Sequence, residues 1–219
     1  QLIAKFLNNS VIKLADEYVV HSLDNKKTFL EIHKTDKPVH VIPHPPILLP
    51  KCHLSIEDLR KKYGYTQKDK LILFFGNIRP YKGLDTLLKV MSLIKDNNIK
   101  LIVAGRPWDS FDMYQQIIDK NNLQPRCKLL LEFIPDEQLS ELCSLANIFC
   151  FPYKHFDSAS GVVSVTSQYN KFTITSDKIS NQKLNNIFQF NSKGNKVQNL
   201  ANTIVKLINS KVKIKTNSI

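Results

Sequence analysis

Short apolar runs alternating with amphipathic stretches dominate the chain from about residue 69 onward, and strands alternating with helical patterns of roughly 10–15 residues specify a parallel sheet with helices on its faces. The runs 71–75 (LILFF), 100–104 (KLIVA), 127–131 (CKLLL), 148–151 (IFCF) and 172–175 (FTIT) have the length and residue types of buried strands. Between them Leu84, Leu87, Leu88, Met91 and Ile94 recur at helical spacing, so 83–95 reads as a helix with one face on the sheet. The segments 108–121, 136–146 and 195–210 read the same way, the last through Val197, Leu200, Ile204 and Leu207. The expected order is β-α-β-α-β-α-β-α-β, a loop and a closing helix: an α/β, Rossmann-like parallel sheet flanked by helices.

Residues 1–45 follow a different plan. An amphipathic helix over 2–15 leads into 17–20 and then His21-Ser22, followed by a helical stretch ending near His33 and an apolar strand at 41–43. The prolines of the following segment, HPPILLP at 44–50, disfavour helix and stiffen the connection. A boundary is expected near 43–52, dividing a first region, 1–45, from a second, 46–219. Ser55 followed by Asp58 is the start signal of a new helix. The chain opens directly in an amphipathic pattern without a signal peptide, and Gln1 in place of Met points to a processed product or a fragment.

At 219 residues, 42% hydrophobic and 23% charged, the composition is that of a globular protein, and no run approaches the length of a spanning helix. The formal net charge of +12 attracts anions in general. Nucleic acid is a poor fit, because the aromatics sit within apolar runs and are not interleaved with basic residues as stacking platforms. Cys52, Cys127, Cys143 and Cys150 are scattered, mostly in apolar stretches, and read as reduced packing residues. The six histidines lack HxH or HExxH spacing, so no metal site is expected.

Three strand-to-helix segments are the candidates for chemistry. The first, 76–83 (GNIRPYKG), places Arg79 and Lys82 where a helix amino terminus at a strand's carboxyl end would receive an anion, with Gly76 and Gly83 giving the turn its backbone freedom. The second, 158–165 (SASGVVSV), sets Ser158, Ser160 and Gly161 ahead of an apolar periodic run and so begins another helix, with His155 close by. Two such helix starts facing one crevice would suit a doubly charged group. The third, Phe133, Ile134 and Pro135 before Asp136, is another carboxyl-end turn with acids in the first helical turn. Paired carboxylates for acid/base work are missing from both glycine loops; Asp157 stands alone, and Asp85 reads as a helix cap or a solvated charge.

The order and spacing of FFGNIRPYKGLDTLL (74–88), LIVAG (101–105), FIPDEQLSELCSLANIFCFPY (133–153) and SASGVVSVTSQYNKFTITSD (158–177), with HVIPHPP (40–46) before them, resemble the family 4 (group 1) glycosyltransferases across about residues 17–208. The resemblance implies the carboxyl-terminal, nucleotide-sugar-binding half of a GT-B glycosyltransferase. Residues 1–45 would then be the end of the amino-terminal acceptor domain and the interdomain connection. It further implies retaining, hexosyltransferase-like transfer from a nucleotide-diphosphate sugar to a glycan or lipid-linked acceptor, as in polysaccharide biosynthesis, without an essential metal or other cofactor.

By the same resemblance Arg79 and Lys82 would bind the donor diphosphate and neutralise the leaving phosphate, and Gly76 would let the donor approach the loop. Gly161, Val162 and Val163 would offer backbone groups to phosphate or sugar, and Phe133, Ile134 and Pro135 would line the base with Gly105 and Arg106 nearby. The family's two glutamates eight positions apart, the second on the ribose, are replaced here by Ser158 and Thr166. That departure fits an alternative, a degenerate, non-catalytic binding subunit. Reduced, scattered cysteines fit a cytoplasmic protein, Lys-rich faces could hold it near anionic lipid at the inner face of a membrane, and the alternative of a binding subunit would pair it with a second chain that supplies the acceptor domain.

Overall fold

The computed structural model describes residues 12–43, 45, 47–155, 161–177 and 186–210. Two compact units divide at Pro45. In the smaller, β1 (Tyr18–Val20) and β2 (Val39–Val41) pair in parallel and are joined through α1 (Leu23–His33). Ser22 caps α1 by accepting from the Asn25 amide. The strand expected at 41–43 lies two residues earlier, because Pro43 has no N–H for a ladder. Residues 12–14 are helical, and the rest of the helix expected over 2–15 lies outside the described residues.

The larger unit begins with α2 (Ile56–Tyr63), whose amino end is the expected capping box: Ser55 Oγ accepts from the Asp58 amide at 3.1 Å and donates to the Asp58 carboxylate at 2.7 Å. Next come β3 (Lys70–Phe75), a 3₁₀ turn (Pro80–Lys82), α3 (Leu84–Leu93), β4 (Ile99–Ala104), α4 (Asp112–Lys120) and β5 (Cys127–Leu130). They are followed by α5 (Asp136–Leu145), β6 (Ile148–Phe151), α6 (Gly161–Thr166), β7 (Phe172–Ser176), β8 (Ile187–Phe190) and α7 (Lys196–Ile208). Among the described residues the strands form one parallel sheet in the order β5-β4-β3-β6-β7-β8. Counted from β3, this is the doubly wound 3-2-1-4-5-6 arrangement, whose strand order reverses between β3 and β6.

The central strands β3, β4, β6 and β7 are buried on both faces; β3, β6 and most of β4 accordingly read as apolar runs, whereas β7 also buries Thr173, Thr175 and Ser176. Leu84, Leu87, Leu88 and Met91 of α3 are fully buried in the core. Arg126 donates to the carbonyls of Met91 and Ile94 at the carboxyl end of α3, satisfying groups the helix leaves unpaired.

Three expectations need correction. Strand β5 is an edge strand and only half-buried. The helix expected from residue 108 starts at Asp112, since the Trp108 amide is engaged by the Ile78 carbonyl. Strand β8 was not expected at all; it is a second edge whose central residues Phe188 and Gln189 face outward, leaving no continuous apolar run.

Candidate functional site

The reversal point of the sheet opens a crevice at the carboxyl ends of β3 and β6, and the backbone around it is tightly fixed. Beyond Phe75 and Ala104 the β3–β4 register persists as a bridge between Ile78 and Pro107. The Gly76 amide donates to the Ala104 carbonyl, the Ile78 amide to that of Arg106, and the Trp108 amide to that of Ile78. Gly105, at φ +146°, lies so close to Gly76 that a Cβ would come within 2.8 Å of the Gly76 carbonyl carbon. On the other side Gly83, also at positive φ, packs directly beneath the Pro152 carbonyl in the loop after β6.

Into this frame the 3₁₀ turn delivers Lys82, buried to 8% exposure. Among the described residues its ammonium has neither a carboxylate nor a hydrogen-bond partner, and it stands 5.9 Å from the centroid of the Tyr153 ring. Burial, and secondarily the positive charge of Arg79, push its pKa down to about 8. A buried charge without a partner carries a desolvation penalty that an incoming anion would relieve.

Lys82 lines a cavity of about 400 Å³ together with Gly76, Asn77 and Tyr81 on one side and Gly161, Val162 and Val165 of α6 on another. Ile47 and Leu49 complete it: the Ile47 amide donates to Ser164 Oγ at 3.2 Å and the Leu49 amide to Gln168 Oε1 at 2.9 Å. A smaller neighbouring cavity of about 110 Å³ is lined by Gly105, Arg106, Glu132, Phe133 and Ile134. The two share Phe75, Gly76, Asn77 and Leu139.

The structure therefore gathers Gly76, Lys82, Gly161 and Val162 in one cavity, and Gly105, Arg106, Phe133 and Ile134 in the adjoining one. Arg79 lines neither; its guanidinium lies 3.9 Å from the centre of the Trp108 ring. Pro135 is the exposed residue before α5 and also lines neither. Thr166 departs furthest from expectation: it is fully buried and accepts a 3.0 Å hydrogen bond from Thr173 of β7. Only backbone can be described for Val163, and Ser158 and Ser160 lie outside the described residues.

No residue of α3 lines the larger cavity, so the meeting of two helix starts is replaced by α6 facing the Lys82 side chain. Asp85, in the first turn of α3, forms an ion pair with Lys154 at 2.9 Å. Sequence reasoning did not single out Ile47 and Leu49 as cavity residues, because a proline-rich segment reads as a connector. Tyr81 and Tyr153 were inside quoted motifs without a role; their rings meet edge to face at 5.7 Å. Among the described residues no group of histidine, cysteine and acidic side chains is arranged to hold a metal ion.

A family model described as glycosyl transferases group 1 matches residues 55–218. An uncharacterized glycosyltransferase of Bacillus subtilis, YqgM, is 27% identical over 172 residues, covering 74% of this chain and 45% of its own length. Anabaena HepE, solved in complex with UDP and glucose, superposes with a TM-score of 0.74 at 16% identity, over 91% of this chain and 57% of its own. The isolated carboxyl-terminal domain of a group 1 glycosyl transferase, LpcC of Francisella tularensis, superposes with a TM-score of 0.59 at 12% identity, over 73% of this chain and 85% of that domain. The chain thus spans about half the length of the curated relative and of HepE, and has the GT-B carboxyl-terminal fold.

Proposed function

Because the chain belongs to the group 1 glycosyl transferases, we propose that it supplies the donor-binding half of an enzyme that moves a sugar from a nucleotide-diphosphate sugar to a glycan or lipid-linked acceptor. The observation that carries this reading is the buried ammonium of Lys82, without a partner among the described residues, in the crevice where the strand order reverses. Open α/β sheets bind nucleotides at that place.

In the proposed reaction an acceptor hydroxyl displaces the nucleoside diphosphate at the sugar's anomeric carbon, with retention of configuration. The C–O bond to the diphosphate breaks, a C–O bond to the acceptor forms, and the hydroxyl proton leaves with the diphosphate or solvent. Negative charge grows on the leaving phosphate, and Lys82, helped by Arg79, stabilises it electrostatically. Backbone groups of Gly161, Val162 and Val163 hold phosphate or sugar, while Gly105, Arg106, Phe133 and Ile134 flank the base. Residues 1–45 are the end of an acceptor domain and 46–219 the donor domain; the rest of the acceptor wall is not among these 219 residues, and turnover by them alone is slow. The net charge of +12 favours a position at the inner face of an anionic membrane.

Calorimetric titration with UDP, GDP, ADP and their sugars tests the donor site. Tight binding of one nucleoside diphosphate that is lost in Lys82→Ala supports it; equal binding by the parent and that variant refutes it. One observation favours a second reading, a non-catalytic binding subunit. Thr166, at the position the resemblance assigns to the ribose contact, is sealed in the core. Nucleotide binding without sugar transfer, when a complete acceptor domain is supplied, would select that reading.

A further inference from the structure

Carrying the β3–β4 register one step past the Ile78–Pro107 bridge sets Arg79 opposite Trp108. The backbone bonds on either side of that bridge, 2.9 and 3.0 Å long, leave the two residues little freedom to slide apart. Trp108 is 65% exposed, so burial does not account for a large aromatic side chain here. Its ring faces the Arg79 guanidinium at 3.9 Å, within the range of a cation–π contact. Among the described residues Arg79 has no carboxylate partner, so the indole is the group that fixes its charge.

We infer that Trp108 is a positioning residue for Arg79, whose guanidinium the indole holds beside the crevice so that it shares the donor diphosphate with Lys82. The inference rests on the donor-site reading above. An arginine without this platform samples many rotamers, and binding must then collect it at an entropic cost. The platform removes that cost in advance, and it does so on backbone already locked by the sheet.

The test uses the 219-residue chain and calorimetric titration with UDP, GDP and ADP. Trp108→Ala should weaken the best-bound nucleotide about two- to fivefold, the range of an exposed cation–π contact. Trp108→Phe should restore most of the affinity, and Trp108→Ala should have no further effect in an Arg79→Ala background. Trp108 is the sole tryptophan of the sequence, so its emission should also change in Arg79→Ala. Unchanged or tighter binding in Trp108→Ala, or an equal loss with and without Arg79, overturns the inference. If Lys82→Ala still weakens binding in that case, the donor-site reading survives; if no nucleotide binds or Lys82→Ala has no effect, both fall.

Discussion

The ammonium of Lys82 stands 3.2 Å from where a side chain on Gly76 would begin, and Val162 of α6 closes the same point from the other side at 3.0 Å. The bare backbone at Gly76 is thus what leaves the ammonium open to the cavity. A methyl group there would be forced against both neighbours.

Replacing Lys82 by alanine should weaken nucleoside diphosphate binding about 10- to 150-fold, the equivalent of one charge-assisted hydrogen bond of roughly 1.5–3 kcal/mol. Isothermal calorimetry measures it. Exposed lysines such as Lys120 or Lys193 should give only a small, salt-dependent effect when changed.

Affinity should also depend on pH. Lys82 is held at about 8, below the ordinary lysine value, chiefly by burial. The diphosphate needs the ammonium form, so affinity should be level between about pH 7, above the diphosphate's own last ionisation, and pH 8, and fall above it, with proton uptake on binding near pH 8. Lys82→Arg stays charged throughout and should abolish the decline. The sign for stability without nucleotide is opposite: a depressed cation penalises the fold below about pH 8, and the penalty is relieved as pH rises toward the ordinary value near 10.4. Lys171, also pushed down to about 8 by burial, shares this trend, so Lys82→Met should remove only part of it in urea titrations.

Gly105→Ala should destabilise the protein by about 2–4 kcal/mol, because its Cβ would press on the Gly76 carbonyl and φ is +146°. Denaturant unfolding checks this. Nucleotide affinity, measured where the variant is still folded, should fall as well, since both cavities share Gly76.

Thr166→Val should cost about 1 kcal/mol through the lost bond from Thr173 and leave nucleotide affinity unchanged. A binding defect without a stability defect would put Thr166 in the site after all.

These cases mark what could be read from the residues alone. The order of the central strands and helices was legible because strands covered on both faces are mostly apolar, as Leu71–Phe75 and Ile148–Phe151 are, even though β7 buries Thr173 and Thr175. Strand β8 escaped because an edge asks less of its residues: Phe188 points outward and only Phe190 is buried there. Lys82 and Gly161 were singled out by their place between strand and helix, and both line one cavity. Thr166 lies in the core because its helix turn directs the side chain inward, a placement that a family position alone does not reveal. Ile47 and Leu49 reach the cavity through hydrogen bonds to Ser164 and Gln168, more than a hundred residues away, a separation that no local pattern announces.

The fit of Gly83 beneath the Pro152 carbonyl ties the loop after β3 to the loop after β6. They behave as one interlocking part, so a transplant of 76–83 from a relative should succeed only with its own partner loop at 152–155. Attempts to re-engineer donor choice would accordingly do better to exchange the two together than to randomise either alone.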